Sequence, residues 1–492
     1  MTTPPETPFF TTIRDRAVAD PDRPSVTVGD FTLSRAELVA TSERVADRFA
    51  ELGVGPGSWV TIALPNSVEF VQAALATWLL GGTPQPVSHR LPASERAAII
   101  ELANPALVVS ADAEDAGSRP TISREELQQA ASADATETFR EAVAAPEWKV
   151  VTSGGSTGRP KLIVACAPAI SESVIPLGAL LRVPEDGCVL NTGPLSHNAP
   201  FVVMLAGLLL GDHVVIMPRF DAAESLRLAA QHRVQWFYLV PTMMQRIWRL
   251  PEQERLRHDL SSLEVAFHMA APCPQWLKRA WIEWLGGEKI LELYAGTELQ
   301  ALTVIDGAEW LEHTGSVGRP VIGEIECRGP DGTPLPAGAE GELWMRRGPG
   351  APAPYRYVGA TAKTASDGWE SLGDIGYIDA DGYVYITDRD SDMILVGGAN
   401  VYPAEIEAAL DEHPAVRSSC AIGLPHEDMG NVVHVLVELA EETSDEELMA
   451  HLKGRLVPYK LPRSIERVGA PLRDDAGKVR RSALRAERLA HG

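Results

Sequence analysis

Residues 152–161 read Thr152-Ser153-Gly154-Gly155-Ser156-Thr157-Gly158-Arg159-Pro160-Lys161, and the apolar pairs around them decide how the run is used. Val150-Val151 precede it and Leu162-Ile163-Val164 follow it, so the pattern predicts two strands joined by a glycine-rich loop at a sheet edge. Glycines let backbone come close to a ligand and adopt positive φ, and successive N–H groups of such a loop form a nest for an anion. Thr152, Ser153, Ser156 and Thr157 add hydroxyl donors and Lys161 adds a charge, a set suited to phosphate oxygens. An ordinary Gly/Ser/Thr turn has the same composition, so the loop needs support from the rest of the chain. A P-loop of the NTPase kind is excluded by spacing. That motif needs Gly-Lys followed at once by Ser or Thr, whereas Arg159-Pro160 part Gly158 from Lys161 and Leu162 comes next.

At 492 residues the chain exceeds one ordinary core and is expected to form two or more domains. Its 45% apolar and 23% charged residues are those of a water-soluble globular protein. A net charge of -23 argues against nucleic acid or an anionic membrane as bulk partners, since both need a basic face. It leaves room for a small anionic ligand in a local basic pocket. Cys166, Cys188, Cys273, Cys327 and Cys420 are scattered without paired metal spacing, which suggests reduced thiols in a cytoplasm. The start, Met-Thr-Thr-Pro-Pro-Glu, lacks the basic and apolar regions of a signal peptide. The apolar stretches Ala73–Leu80 and Phe201–Leu210 fall short of the ~20 residues a membrane span needs. Arginine is strongly favoured, 36 against 8 lysines. Lysines that persist in such a chain, Lys161 and Lys478 among them, are candidates for positions needing a compact point charge.

The order of elements is that of an α/β protein. Helices are predicted over Ser34–Leu52 and Val68–Leu80, with Trp59–Leu64 a strand between them. Residues 112–147 are polar and Ala/Glu-rich and read as a surface connection. From 150 to 300 strands (Val214–Met217, Trp236–Val240, Leu263–Met269, Ile290–Leu293) alternate with helices (near Ala223–His232, after Pro241, Gln275–Leu285), the mark of a layered α/β fold. Residues 315–390 turn richer in Gly, Pro and short strands, as a small β-subdomain would be. A small α+β domain is expected from residue 391, with a helix over Pro403–Leu410, strands over Ser419–Ile422 and Val432–Leu439, and a helix over Ser444–Lys453 opened by a Ser444/Glu447 capping box.

Five further segments carry polar groups in places that suit chemistry. Tyr294-Ala295-Gly296-Thr297-Glu298 follows a strand, where α/β sheets bind ligands. Its threonine can hydrogen-bond phosphate and its glutamate can hold Mg²⁺. Gly373-Asp374 leads into Tyr377, Asp379 and the hairpin signal Asp381-Gly382. Asp388-Arg389-Asp390-Ser391-Asp392 leads to Gly397-Gly398-Ala399-Asn400. Asp474-Asp475-Ala476-Gly477-Lys478-Val479-Arg480-Arg481 stands near the C-terminus. Gly193-Pro194-Leu195-Ser196-His197-Asn198-Ala199-Pro200-Phe201 is a loop before an apolar run. Taken singly, a Thr-Glu turn, a basic tail or a lone histidine is ordinary surface or core; their value lies in order and spacing.

In that order the segments resemble the acyl-adenylate-forming enzymes, the family of acyl-CoA synthetases, peptide-synthetase adenylation domains and luciferases, over roughly residues 10 to 485. The resemblance implies a large N-terminal layered α/β domain with a small β-subdomain (1–390) and a small mobile α+β domain (391–492). It implies ATP bound by Thr152, Ser153, Gly154, Gly155, Ser156, Thr157, Gly158 and Lys161. Ala271, Glu292, Tyr294 and Ile386 would contact the nucleotide, with Tyr294 stacked on adenine. Asp374 would hold the ribose and Arg389 ribose and phosphate. Mg²⁺ falls to Glu298, beside Thr297, and the catalytic lysine to Lys478. His197, Asn198 and Ala295 would line the acyl pocket, Ser391 would be the hinge, and Gly397-Gly398 would line the pantetheine tunnel of CoA. Three positions depart from the pattern: Ala295 where the family usually has Gly, Glu292 where it often has an amide, and Ser391 where Asp or Lys is common.

The implied reaction has two halves: a carboxylate attacks the α-phosphorus of Mg·ATP to give acyl-AMP and pyrophosphate, then a thiol displaces AMP. Tyr294–Gln300 with Thr303-Val304-Ile305, together with Gly193–Phe201, look most like synthetases of bulky alicyclic acids, bile-acid, steroid or terpenoid in kind. Rival readings are an aryl- or fatty-acid-adenylating enzyme that loads a carrier protein, a catalytically silent ATP-binding regulator, and a phosphohydrolase that makes ADP without any acid. The expected partners are a small carboxylic acid and CoA, without nucleic acid or membrane, in a monomer or homodimer.

Overall fold

The computed structural model describes residues 6–111, 117–134, 140–154, 160–365, 368–389, 392–396, 399–426, 428–474 and 477–491. A nine-stranded sheet forms the centre of the large N-terminal domain. Six of its strands run parallel side by side: Pro24–Val28, His213–Ile216, Cys188–Asn191, Trp236–Leu239, Val265–His268 and Ile290–Ala295. Their runs are short, continuous and apolar because both faces are covered by helices. Leu302–Asp306 and Arg319–Ile322 extend the sheet antiparallel at one edge. A smaller all-parallel sheet of four strands is built on Trp59–Ala63.

Local signals place the helices well. Ser34 caps the helix Arg35–Glu51 in a capping box with Glu37, and the helix Val68–Leu79 is buried along its whole length, so its apolar run is core. Among the described residues no helix is long and apolar enough to cross a membrane. The stretch 112–147 is more than a surface connection. Thr121–Ile122 completes the four-stranded sheet, and Arg124–Ser132 is a helix, capped by a Ser123/Glu126 box, that buries Leu127 and Ala131. Two apolar anchors suffice for a helix whose other faces meet water, which hid it among polar residues.

The glycine-rich loop joins Val150–Gly154 to Pro160–Ala165, two antiparallel strands of a three-stranded sheet completed by Tyr355–Val358. The β-subdomain is a five-stranded antiparallel sheet containing Glu370–Ile378 and Val384–Arg389. Beyond it lies the small C-terminal domain, whose sheet carries the long hairpin Val416–His426/Gly430–Leu439. Helices Pro403–Asp411 and Asp445–Lys453 pack on that sheet through Ile406, Leu410, Leu448 and Leu452. Ser444 accepts the Glu447 N–H at 3.1 Å, but the Glu447 carboxylate takes the Thr443 hydroxyl instead, so the cap is single-sided and not the box expected.

Candidate active site

Two contact groups bring candidate residues together, Lys161 with Glu298 and Tyr294 with Asp374 and Arg389. Ile290–Ala295 ends at the C-terminal edge of the parallel strands, and Gly296–Leu299 then makes a tight turn closed by the Leu299 N–H on the Gly296 carbonyl. Gly296 lets the turn pack closely: a Cβ would lie 2.3 Å from Leu372 Cδ1 and 3.0 Å from Glu298 Oε2, so those side chains would have to move. The turn leaves Thr297 half-buried and Glu298 buried.

Glu298 meets the phosphate-loop hairpin from the side. Tyr357, on the strand paired to Pro160–Ala165, donates its hydroxyl to Glu298 Oε1. Lys161 Nζ stands 3.6 Å from the same oxygen, donates to the Tyr357 hydroxyl at 3.2 Å, and lies 4.4 Å above that ring's centroid. Burial and the Glu298 bond push the Tyr357 phenol above its ordinary range, so it stays a donor. Thr152 is on the partner strand, and its hydroxyl oxygen is buried without a hydrogen-bond partner. Gly155, Ser156, Thr157 and Gly158 lie outside the described residues, as do Ser391 and Gly398, and so does the side chain of Ser153.

Asp374 occupies the strand Glu370–Ile378 directly across from Arg389. Its two carboxylate oxygens are shared: Oδ2 accepts the Tyr294 hydroxyl at 2.6 Å and Oδ1 accepts Arg389 Nε at 3.1 Å. Tyr294, Asp374 and Arg389 therefore form one contact group, although they lie far apart in sequence. Ala295 ends the strand beside Tyr294, half-buried, and Ile386 sits half-buried two residues before Asp388. Ala271 follows Ala270, whose φ of 78° turns the chain just past the strand Val265–His268.

Glu292 already has a buried partner on one oxygen. Lys278, fully buried on the helix Gln275–Leu285, pairs with its Oε2, and His268 Nδ1 stands 3.9 Å from its Oε1. Burial would raise the Glu292 carboxyl, but Lys278 and then His268 hold it below the usual range. His268 is pushed down to about 4 by burial, hence neutral at pH 7, and both its ring nitrogens are buried without partners.

Lys478 enters from the C-terminal domain on the loop after Arg473. Asp474 organises this loop, accepting the Lys478 N–H on its side chain and the Gly477 N–H on its backbone, both at 2.9 Å. Gly477 has φ 77°, and a Cβ on it would lie 2.8 Å from Thr242 Oγ1 of the large domain, so the loop docks with bare backbone. Lys478 itself is exposed; partial loss of water lowers its pKa, Asp474 and Glu298 act in the opposite sense, and Arg389 adds to the lowering. Gln245 and Arg249 both donate at 3.2 Å to the Asp411 carbonyl, holding the two domains together at a second point.

The chain matches the model of the AMP-binding enzymes over residues 13–355, and that of the AMP-binding enzyme C-terminal domain over 405–478. It belongs to the AMP-binding enzyme family. It is 29% identical over 484 residues to the 2-succinylbenzoate–CoA ligase of Bacillus licheniformis, covering 96% of this chain and 98% of the relative. It is 30% identical over 483 residues to a feruloyl-CoA synthase of a Streptomyces species, covering 96% and 97%. Among solved structures, the o-succinylbenzoate–CoA synthetase of Bacillus subtilis in complex with ATP and magnesium superposes with a TM-score of 0.82 at 27% identity, over 98% of this chain and all of that one.

His197 and Asn198 open the helix Asn198–Leu210, His197 as its N-cap residue. The side chain of Asn198 is held by one that sequence reasoning passed over, Lys149. That lysine is buried, donates to Asn198 Oδ1, and lies 4.5 Å over the Trp148 ring. Its signal was available as a lone charge in the apolar run Trp148-Lys149-Val150-Val151. Tyr357, Lys278 and His268 were also missed, because each reaches the site from an element with no motif of its own.

Proposed function

We propose that this AMP-binding enzyme is an ATP-dependent carboxylic acid–CoA ligase working through an acyl-AMP intermediate. The observation that carries this reading is the docking of the Lys478 loop, through Gly477 against Thr242, on the large domain that brings Glu298 to Lys161 and joins Tyr294, Asp374 and Arg389. In the same sense we assign residues 1–390 to nucleotide and acid binding, 391–492 to the mobile domain, and the hinge to Ser391.

The residues fit the groups the reaction needs. The unpartnered Thr152 hydroxyl and the Lys161 ammonium suit phosphate oxygens. Asp374, held between Tyr294 and Arg389, suits a ribose diol. Among the described residues no cluster of three or more His, Cys, Asp or Glu could hold a metal by itself. That fits Mg²⁺, which takes one or two carboxylates plus substrate phosphates; Glu298 would hold it. When bound, the ion neutralises charge on the leaving pyrophosphate.

In the first half-reaction the acid's carboxylate oxygen attacks the α-phosphorus in line, and the bond to the β-phosphate oxygen breaks. Lys478 offsets the charge that builds on the carboxylate and α-phosphate, its loop fixed beforehand by Asp474. Rotation about Ser391 then withdraws Lys478, as the Gly477–Thr242 contact and the Gln245/Arg249 bonds to Asp411 release. A thiol enters along the segment bearing Gly397-Gly398 and displaces AMP. A thiol of pKa ~8.5 already holds a few per cent thiolate near neutrality.

For the acid we propose a bulky alicyclic or polycyclic compound, on the resemblance of Gly193–Phe201 and Tyr294–Ile305 to synthetases of such acids. The curated relatives, named for 2-succinylbenzoate and ferulate, make an aryl acid the specific rival. The test is pyrophosphate release with ATP and Mg²⁺ over cholate, abietate, 4-coumarate, 2-succinylbenzoate and palmitate, each with and without CoA. Acid-dependent pyrophosphate, with AMP and thioester on adding CoA, is the expected result, and the fastest acid identifies the pocket. ADP, or no pyrophosphate with any acid, would replace the reading with hydrolysis or ATP binding alone.

A further inference from the structure

Lys149 is a buried cation with no counter-charge at hand. It is 6% exposed. Among the described residues its hydrogen-bond partner is the neutral side-chain oxygen of Asn198, and its other neighbour is the face of Trp148. No carboxylate stands within ion-pair distance among those residues. An ammonium has three donors, and one amide leaves most of them unused. Burying an unpaired charge costs several kcal/mol, and an anion bound beside Lys149 would offset that cost. Burial lowers the Lys149 pKa to about 7, and the one carboxylate that opposes this is Glu298.

The position says which anion. Lys161 already serves the phosphate side of Glu298, through Tyr357. Lys149 instead is tied to Asn198, the first residue of the helix Asn198–Leu210, whose N-terminal end carries partial positive charge. That helix begins directly after the Pro194–His197 segment assigned to the acyl pocket. Lys149 is thus bonded to the first residue of the helix that follows the proposed acyl segment, on the side from which the acid's carboxylate would approach the nucleotide. Unlike Lys478, it belongs to the large domain and stays when the small domain turns.

We propose that Lys149 is the stationary cation of the acyl site, holding the acid's carboxylate in the first half-reaction and the acyl oxygen in the second. The inference rests on the adenylation reading above. As sulfur bonds to the carbonyl carbon, the C=O pair moves onto oxygen beside the Lys149 ammonium. Collapse re-forms C=O and breaks the bond to the phosphate oxygen, releasing AMP. The thiol proton goes to solvent and Lys149 keeps its own.

The test needs no knowledge of the natural acid. 5′-O-(N-acetylsulfamoyl)adenosine carries the acyl head common to every acyl-adenylate, and AMP lacks it. Calorimetric affinities of both compounds are measured for wild type, Lys149→Met and Asn198→Asp, the last giving Lys149 an internal counter-charge. The wild type should prefer the analogue. Both variants should lose about tenfold or more in affinity for it, with AMP within about twofold of wild type. Analogue affinity unchanged within about twofold in either folded variant overturns the proposal, as does a parallel loss of AMP in both. If the wild type binds neither compound, the adenylation reading falls and the inference falls with it.

Discussion

Asp388 accepts a hydrogen bond from the backbone N–H of Ala404 at 3.0 Å, and the chain between the two runs through the hinge proposed at Ser391. Ala404 is the second residue of the helix Pro403–Asp411, and Pro403 has no N–H to give. The last strand of the β-subdomain therefore caps the first helix of the small domain, with its other oxygen on the Arg389 N–H at 2.7 Å. A rotation between these residues has to break the cap. Asp388→Ala should loosen the present orientation and slow acid-dependent pyrophosphate release by about tenfold, the size of one charge-assisted hydrogen bond. Thioester formation from supplied acyl-adenylate should change little. Asp388→Asn keeps an acceptor oxygen and should retain most of the first rate; rapid-quench assays of the two halves separate these outcomes.

Lys478→Ala should divide the reaction more sharply. Removing one preorganised donor from a developing charge costs on the order of 10²–10³ in rate. The loss should fall on pyrophosphate release, because in the proposed cycle the lysine is withdrawn before the thiol attacks. Equal loss in both halves would mean that Lys478 stays in place throughout.

The pair Lys278–Glu292 gives a stability prediction. Both groups are buried and bonded to each other. Breaking such a pair from one side strands a charge and costs about 3–5 kcal/mol, whereas replacing both sides costs far less. Denaturant unfolding should show Lys278→Met strongly destabilised and Lys278→Met with Glu292→Gln largely restored. ATP affinity should still fall in the double variant if the Glu292 carboxylate meets the adenine amino group.

How legible this site was in the sequence depends on how each part is held. Lys161 and Glu298 are carried by a glycine-rich loop and a strand-end turn, which local pattern marks, whereas Asp374, Arg389 and Lys478 were legible only through the order of segments that the family resemblance supplies. Elements such as Gln275–Leu285 were legible too, since an apolar stripe on a helix needs no knowledge of its partner. Tyr357, Lys278 and His268 were not, because their meaning comes from strand order and helix packing. Tyr357 matters because its strand pairs with Pro160–Ala165, nearly 200 residues away in sequence. Glu292 was legible from its place on the strand, but its ion pair with Lys278 was not, because that partner comes from helix packing.

Lys149 links stability to pH in a direction that can be stated in advance. Its native pKa is lowered from 10.5 to about 7 by burial. Below pH ~7 the ammonium is charged in both states, and the folded protein carries the full burden of the buried charge. Between ~7 and 10.5 the unfolded chain binds the extra proton, so stability rises with pH across that window. At 1.36 kcal/mol per pKa unit the whole effect is about 5 kcal/mol. Lys149→Met removes the burden, so it should unfold at a higher temperature than wild type at pH 6, with the difference shrinking towards zero near pH 10. A variant that is more stable yet binds the acyl-adenylate analogue less well would show a charge kept for its ligand at the expense of the fold. A Lys149→Met protein less stable than wild type at pH 6 would mean that the lysine supports the packing of Trp148 and Asn198 instead.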